Sequence, residues 1–152
     1  MCEKEMEDHP EPNEAWLQYF RRKRRFSDLI LLAWSIIEFD IDQIVANQFG
    51  LFYTDKKAQI LLELNFQKKL DFLKKNGVIT KDEYDTFKNF QKNRNNLFHG
   101  GHLLGKEQPF FFTLSDEVKD EIMDNAVKAA QLALNIGFRD STSRKVSLPQ
   151  II

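Results

Sequence analysis

One stretch in the first third of the chain is apolar around most of the circumference that a helix would have. Between Phe26 and Gln48 the apolar residues recur at helical spacing on two stripes, and the stretch stops near Gly50. One stripe contains Phe26, Ile30, Ala33, Ile37 and Ile44, and the other contains Leu29, Leu32, Ile36 and Phe39. A helix with one buried face needs only one stripe. This helix therefore lies at the centre of a bundle, or it is half core and half subunit interface.

Helix signals also flank this stretch on both sides. Asn13 can cap a first helix, which would carry Trp16 and Leu17. On the other side, Asp55 can cap a third helix that runs to Asn76, where the following glycine supplies a left-handed terminator. Neither stretch shows the alternating pattern of a strand.

The second half of the chain continues in the same way. Thr80 and Glu83 form a capping box, which predicts a motif helix over 81–98. A loop then spans about 100–114, and Ser115 opens a last helix that ends at Gly137. The sequence therefore predicts an all-α fold, an up-and-down bundle of four to five helices.

The predicted helices occupy residues 13–137, a normal size for one domain with its own core. Residues 1–12 are polar and end in Pro-Glu-Pro, so we expect a disordered lead there. Residues 138–152 are polar and contain Pro149, which predicts a mobile tail.

Composition limits where the chain works and what it binds. The single cysteine, Cys2, rules out an internal disulfide and fits a reducing, cytoplasmic environment. The longest apolar run, Leu29 to Ile37, is far too short to span a bilayer. The net charge of −1 gives no overall field that attracts nucleic acid, so any RNA-binding surface must be local.

The motif helix carries the chemistry of interest near its end. Tyr84, Phe87, Phe90 and Leu97 form its apolar face. Arg94 occupies the slot between Phe90 and Leu97, where a buried guanidinium needs a partner, a phosphate or an interface cleft. His99 follows five residues later, about 140° around an ideal helix, while Asn95 and His99 share a face. A fixed cation beside a group that titrates near neutral pH is what metal-independent phosphodiester cleavage requires.

Arg94, Asn95 and His99, at the end of a helix in a small all-helical chain, resemble the signature of the HEPN superfamily. That signature is an arginine, often followed by asparagine, and a histidine after four to six residues. The resemblance covers roughly residues 26–135. It implies a HEPN-like bundle that dimerises, so that two subunits build one cleft. It also implies a metal-independent endoribonuclease, often a toxin of a toxin–antitoxin or phage-defence system, with RNA as substrate and a cognate antitoxin as partner.

In that interpretation His99 acts as general base or general acid in attack by a ribose 2′-hydroxyl, which leaves a 2′,3′-cyclic phosphate. Arg94 neutralises charge on the phosphoryl oxygens, and Asn95 positions the phosphate or His99. The alternative is a non-catalytic HEPN-type module that binds nucleotides or proteins. An arginine bonded to helix carbonyls and a histidine at a helix end would produce the same sequence pattern.

Weaker candidates lie outside the motif helix. Glu38 can orient Arg94 or His99, although an exposed position is the default for such a residue. Arg21, Arg22, Arg24 and Arg25 form a dense basic run, which is either a solvated helix joint or an RNA-binding patch. We expect no metal ion or other cofactor, because His99 and His102 have no cysteine or carboxylate at matching spacing.

Overall fold

The predicted all-α bundle is confirmed. The computed structural model describes residues 12–51, 56–103 and 114–151, apart from the side chains at 57, 60, 61, 98–103 and 140–151. In this part of the chain there are five helices of ten residues or more, one helix of seven residues, and no strand. They are α1 (Pro12–Arg22), α2 (Phe26–Gln48), α3 (Lys56–Leu62), α4 (Phe66–Lys75), α5 (Lys81–Leu103) and α6 (Asp116–Ile151).

Helix α2 is the central helix of the bundle. It packs most extensively against α6 and also contacts α1, α3 and α4. Both of its apolar stripes are largely buried within one chain, at Leu29, Ile30, Ala33, Ile36, Ile37, Ile41 and Ile44. Only Leu31 and Phe39 remain about half exposed on this helix, at 51% and 46%. The surplus of apolar surface is therefore mostly explained by packing inside the monomer.

Small residues allow α6 to approach α2 closely. Ala126, Ala129, Ala130 and Ala133 are all fully buried on α6. Farther along, a Cβ placed on Gly137 would lie 3.7 Å from the Cγ of Asp40 on α2, an ordinary packing distance. The close contact between the two helices thus extends over several turns of α6.

Three helix ends form as the sequence predicts. The capping box is complete, because Thr80 N–H donates to Glu83 Oε1 at 2.8 Å and Glu83 N–H donates to Thr80 Oγ1 at 3.1 Å. Gly77 has a φ of +71° and ends α4. Ser115 caps α6 by accepting from the backbone N–H of Val118 at 3.3 Å.

Three other boundaries differ from the prediction. The single helix expected to run to Asn76 is divided in two, because the side chain of Asn65 accepts from Lys68 N–H and starts α4. Helix α5 continues through Gly100 and Gly101 to Leu103, and α6 continues through Gly137. A glycine inside a helix costs about 1 kcal/mol relative to alanine, and at Gly137 the close packing against Asp40 of α2 offsets this cost. The mobility predicted for residues 1–12 and 138–152 stays a prediction.

A buried ion pair joins α4 to α2. Lys69 is only 5% exposed, and its Nζ lies 2.6 Å from Oδ1 of Asp42. A buried ammonium needs a partner of opposite charge, since removing it from water is costly. The pair therefore fixes the position of α4 on the central helix.

We expect Asp42→Ala to lower the free energy of unfolding by about 1–3 kcal/mol, because it leaves the buried Lys69 ammonium without its partly exposed carboxylate partner. Urea unfolding followed by circular dichroism measures the loss. Asp85→Ala is the control, since Asp85 is an exposed residue of α5 and such changes stay within about 0.5 kcal/mol. Asp42→Ala with Lys69→Met should recover most of the stability. Equal losses of stability in Asp42→Ala and Asp85→Ala would contradict this role of the ion pair.

Candidate functional site

Arg94 lies where the spacing of the motif helix predicts. Its neighbours on the apolar face of α5, Phe90 and Leu97, are 2% and 4% exposed, while Arg94 itself is half-buried. The guanidinium carbon lies 4.6 Å from the centre of the Trp34 ring on α2. Its Nη1 donates to Oδ1 of Asn95 at 3.2 Å. The cation is therefore held between an aromatic face on the core side and an amide on the other.

Trp34 is the site residue that sequence reasoning missed. Its ring stacks on Phe90 at 6.1 Å and meets Phe66 of α4 edge-on at 5.0 Å. Three helices thus fix the ring on which Arg94 rests, and a cation over an aromatic face is stabilised by the ring quadrupole. The available signal was a tryptophan on the predicted central helix. Nothing in the sequence aligned that helix with the motif helix.

Glu38 does not make the contact with Arg94 that was considered for it, and its role toward His99 stays a prediction because the His99 side chain lies outside the described residues. Glu38 is exposed and lies one turn after Trp34 on α2. It makes no ion pair with Arg94 or with any other residue that the structure describes. On α2, Trp34 contacts the guanidinium of Arg94.

A polar groove runs beside Arg94 along one face of α5. Its volume is about 420 Å³, and it is lined by Gln67, Lys88, Asn89, Gln91, Lys92, Asn95 and Asn96. The described lining residues are therefore five amides and two lysines, with no carboxylate among them. Small-molecule sites usually measure about 300–1,000 Å³, so this groove could hold part of a polar, anionic ligand.

Asn95 connects Arg94 to the groove, because it contacts the guanidinium and also lines the groove wall. Along α5, His99 follows Asn95 by four residues, and the helix is continuous through both. On the backbone, His99 thus continues the row formed by Lys88, Lys92 and Asn95. The side chains of His99 and His102 lie outside the described residues. The roles predicted for His99 therefore stay predictions.

One residue of the groove lining, Gln67, belongs to a closed set of hydrogen bonds. Gln67 Nε2 donates to Oδ1 of Asp71 at 2.8 Å and to the Tyr84 hydroxyl at 2.7 Å. The Tyr84 hydroxyl donates in turn to the same carboxylate oxygen at 2.7 Å. The bond from Tyr84 lowers the pKa of Asp71, and the same bond raises the pKa of Tyr84. Lys74 covers the Tyr84 ring at 4.5 Å from its centre.

The basic run at the joint between α1 and α2 is bound to acidic residues of the same molecule. Arg21 pairs with Asp120 and, at 2.7 Å, with Asp124. The hydrogen bond to Asp124 raises the pKa of Arg21. Arg24, whose φ is +53°, pairs with Asp116 and Asp120. These contacts clamp the joint onto the first turns of α6.

The remaining two arginines of the run differ from each other. Arg25 pairs with Asp28 at 2.6 Å and lies 5.7 Å from the centre of the Phe20 ring. Arg22 is exposed. Three of the four candidate RNA-binding arginines thus have carboxylate partners, which favours the interpretation of this run as a helix joint.

The described part of the chain holds neither a metal-binding cluster nor a membrane-spanning helix. Among the residues that the structure describes, no three His, Cys, Asp or Glu side chains come close enough together to hold a metal ion. None of the described helices has both the length and the apolar character needed to cross a membrane.

Comparison with known proteins assigns no family. No protein-family model, no curated protein and no solved structure matches the chain. The likeness to HEPN proteins therefore rests on Arg94, Asn95 and His99 and on the helical context of these residues.

We expect Tyr84→Phe to raise the pKa of Asp71 toward its ordinary value, because the variant lacks the hydroxyl that lowers it. In the parent, the bond stabilises the folded state while Asp71 is ionised, and this contribution is lost as pH falls through the lowered pKa. A carbon-detected NMR titration of the carboxyl groups measures the change. Tyr19→Phe, on α1, is the matched control and should leave the pKa of Asp71 unchanged. A pKa of Asp71 that is no higher in Tyr84→Phe than in the parent would contradict this hydrogen-bond network.

Proposed function

We propose that this chain is a HEPN-type, metal-independent endoribonuclease. The observation that carries the proposal is the position of Arg94. It lies on the motif helix, is braced by Trp34 and is bonded to Asn95 at the edge of a groove with two lysines and five amides. His99 belongs to the same helix, one turn beyond Asn95. A braced guanidinium with a histidine nearby suits cleavage of a phosphodiester.

In the proposed reaction His99 transfers the proton. As general base it accepts the proton of the ribose 2′-hydroxyl, whose oxygen attacks the adjacent phosphorus. The bond to the 5′-oxygen breaks, and that oxygen leaves as a hydroxyl by taking a proton from a water molecule, which regains one from protonated His99. Arg94 neutralises the charge on the phosphoryl oxygens, and Asn95 positions the phosphate or His99. The products are a 2′,3′-cyclic phosphate and a 5′-hydroxyl.

The groove supports RNA as the ligand by its chemistry. Lys88 and Lys92 can contact phosphates, which provide most of the sequence-independent affinity for nucleic acids. The amides can donate to and accept from base edges. This local cluster is consistent with a net charge of −1 for the whole chain.

The proposed enzyme is a homodimer with a cleft built from both subunits. Arg94 and His99 are separated by about 140° around the helix, so an arginine of one subunit can serve a phosphate beside the partner's histidine. The half-exposed Leu31 and Phe39 provide apolar surface on α2 for such a contact. This support is smaller than the sequence suggested, because most of both stripes is buried within the monomer.

We further propose a cytoplasmic toxin controlled by a cognate antitoxin, within a toxin–antitoxin or phage-defence system. In related systems that the resemblance implies, some antitoxins nucleotidylate a tyrosine just after the histidine. Here Gly100, Gly101 and His102 follow His99. That form of control is therefore not expected for this chain, and an antitoxin would act by covering the cleft.

The second candidate function is a non-catalytic HEPN-type module that binds proteins or nucleotides. One observation favours it: Arg94 rests on Trp34 and bonds to Asn95 within the same molecule. Those contacts would hold the guanidinium whether or not a phosphate ever binds. In this case Arg94 stabilises the fold, and His99 contributes no chemistry.

We expect the purified protein to cleave single-stranded RNA in the presence of excess EDTA and to leave DNA intact. Cleavage needs no divalent ion, since Arg94 provides the charge, and DNA lacks the attacking 2′-hydroxyl. Gel analysis of a labelled oligonucleotide, with mass spectrometry of the ends, should find 2′,3′-cyclic phosphate. The control is the same RNA with 2′-O-methyl groups, which should survive. Cleavage that requires added metal, or that cuts DNA equally, would contradict the mechanism.

We expect His99→Ala and Arg94→Ala each to lower the cleavage rate by about 10²–10⁴-fold. Arg94→Lys should also cleave poorly, since an ammonium lacks the planar fork. Asn95→Ala should be milder, and His102→Ala is the matched control that should behave as the parent.

Two measurements on the same variants separate the candidate functions. Equal mixtures of His99→Ala and Arg94→Ala subunits should regain part of the activity if the cleft is composite. Melting temperatures test the alternative of a non-catalytic module. In that case Arg94→Ala should lower the melting temperature, and His99→Ala should leave it unchanged. A His99→Ala variant that cleaves RNA as fast as the parent would reject the proposed chemistry.

A further inference from the structure

Gln67 is the one residue of the groove lining that α4 provides. Its amide nitrogen faces two oxygens of the same molecule, Oδ1 of Asp71 at 2.8 Å and the hydroxyl of Tyr84 at 2.7 Å, which are themselves 2.7 Å apart. An amide side chain has two donors on nitrogen and one acceptor oxygen. The carbonyl oxygen is therefore the hydrogen-bonding atom that Gln67 has left for a ligand.

The orientation of this amide is dictated by its neighbours. An ionised carboxylate only accepts hydrogen bonds, and the bond from Tyr84 helps to keep Asp71 ionised by lowering its pKa. Turning the amide over would place its oxygen 2.8 Å from the Asp71 carboxylate oxygen, with repulsion in place of a hydrogen bond. The Gln67 amide is thus fixed in one orientation, with its carbonyl oxygen left to accept a hydrogen bond. An amide without such neighbours can flip and offer either its oxygen or its nitrogen to a ligand.

The rest of the lining indicates what this acceptor would meet. Lys88 and Lys92 lie on the α5 side of the same groove, and no carboxylate is among the lining residues. An anionic backbone along α5 would put the bases of a single strand within reach of α4. Unstacked bases of single-stranded RNA are recognised through hydrogen bonds to their edges.

We propose that Gln67 is a specificity-determining residue, which accepts a hydrogen bond from the exocyclic amino group of an RNA base in this groove. Adenine, cytosine and guanine carry such a group on their pairing edge, and uracil does not. Tyr84 and Asp71 are positioning residues, because they hold the amide and do not touch the base. Lys88 and Lys92 contact the flanking phosphates. The inference rests on the proposed function, since it assumes that RNA occupies the groove.

The test is equilibrium binding by fluorescence anisotropy, in a His99→Ala background so that the probe is not cleaved. The probes are short oligomers of adenosine and of purine riboside, which differ only in the 6-amino group. Oligomers of cytidine and of its analogue without the 4-amino group form the second pair. We expect the amino-bearing oligomer of at least one pair to bind about three- to tenfold more tightly, as one neutral hydrogen bond would provide.

Variants assign this preference to the amide. Gln67→Ala should bind both members of the pair equally. Asp71→Asn should weaken the preference, since an asparagine can also donate and no longer dictates how Gln67 is turned, whereas Asp85→Asn is the matched control. Lys88→Ala and Lys92→Ala should weaken all oligomers alike and lower the salt dependence.

The outcomes separate this inference from the function on which it rests. Oligomers that bind without an amino preference, or a preference that survives in Gln67→Ala, would overturn the role of Gln67 and leave the ribonuclease proposal standing. Failure of every oligomer to bind, together with failure of the parent to cleave RNA, would overturn both.

Discussion

The packing of α2 against α6 determines where every other helix can lie. Two apolar stripes on α2 are buried by different neighbours, and fully buried alanines on α6 let the two helices approach closely. Burying a leucine or isoleucine side chain contributes about 1.5–3 kcal/mol, so this helix provides a large share of the driving force for folding. The buried pair of Lys69 and Asp42 then sets α4 on α2 at one position. The site on α5 is built against that framework.

Trp34 links the framework to the candidate chemistry. It belongs to the central helix, contacts Phe66 of α4 and Phe90 of α5, and carries the guanidinium of Arg94 on its face. A cation over an aromatic ring is stabilised by about 0.5–2 kcal/mol, depending on its desolvation. The ring also restricts where the charge can point, which a site that binds a phosphate requires. The same contact serves a purely structural arginine, so chemical assays rather than geometry separate the two functions.

The distribution of charge gives the two basic regions of the molecule different roles. At the joint between α1 and α2, arginines are bound to Asp120 and Asp124 of α6, and they hold a non-glycine turn residue with a positive φ. In the groove along α5, Lys88 and Lys92 lie among amides without a carboxylate in the lining. A dense cluster of arginines in the sequence thus does not by itself distinguish a helix joint from a ligand-binding patch. The feature that distinguishes the two basic regions is whether the facing helix carries acidic residues that pair with them.

Much of this architecture could be read from local patterns. The helical class, the central position available to α2, the capping box at Thr80 and the placement of Arg94 on the buried face of α5 all depend on residues close together in the chain. Glycine was a less reliable signal: Gly77 ends a helix, whereas Gly137 lies inside one, because tertiary packing outweighs a cost of about 1 kcal/mol. Local patterns could not show three features: the Trp34 ring beneath Arg94, the acidic partners of the basic run, and the orientation of the Gln67 amide. Each joins residues far apart in the chain, and only the packing of the helices sets which of their faces meet.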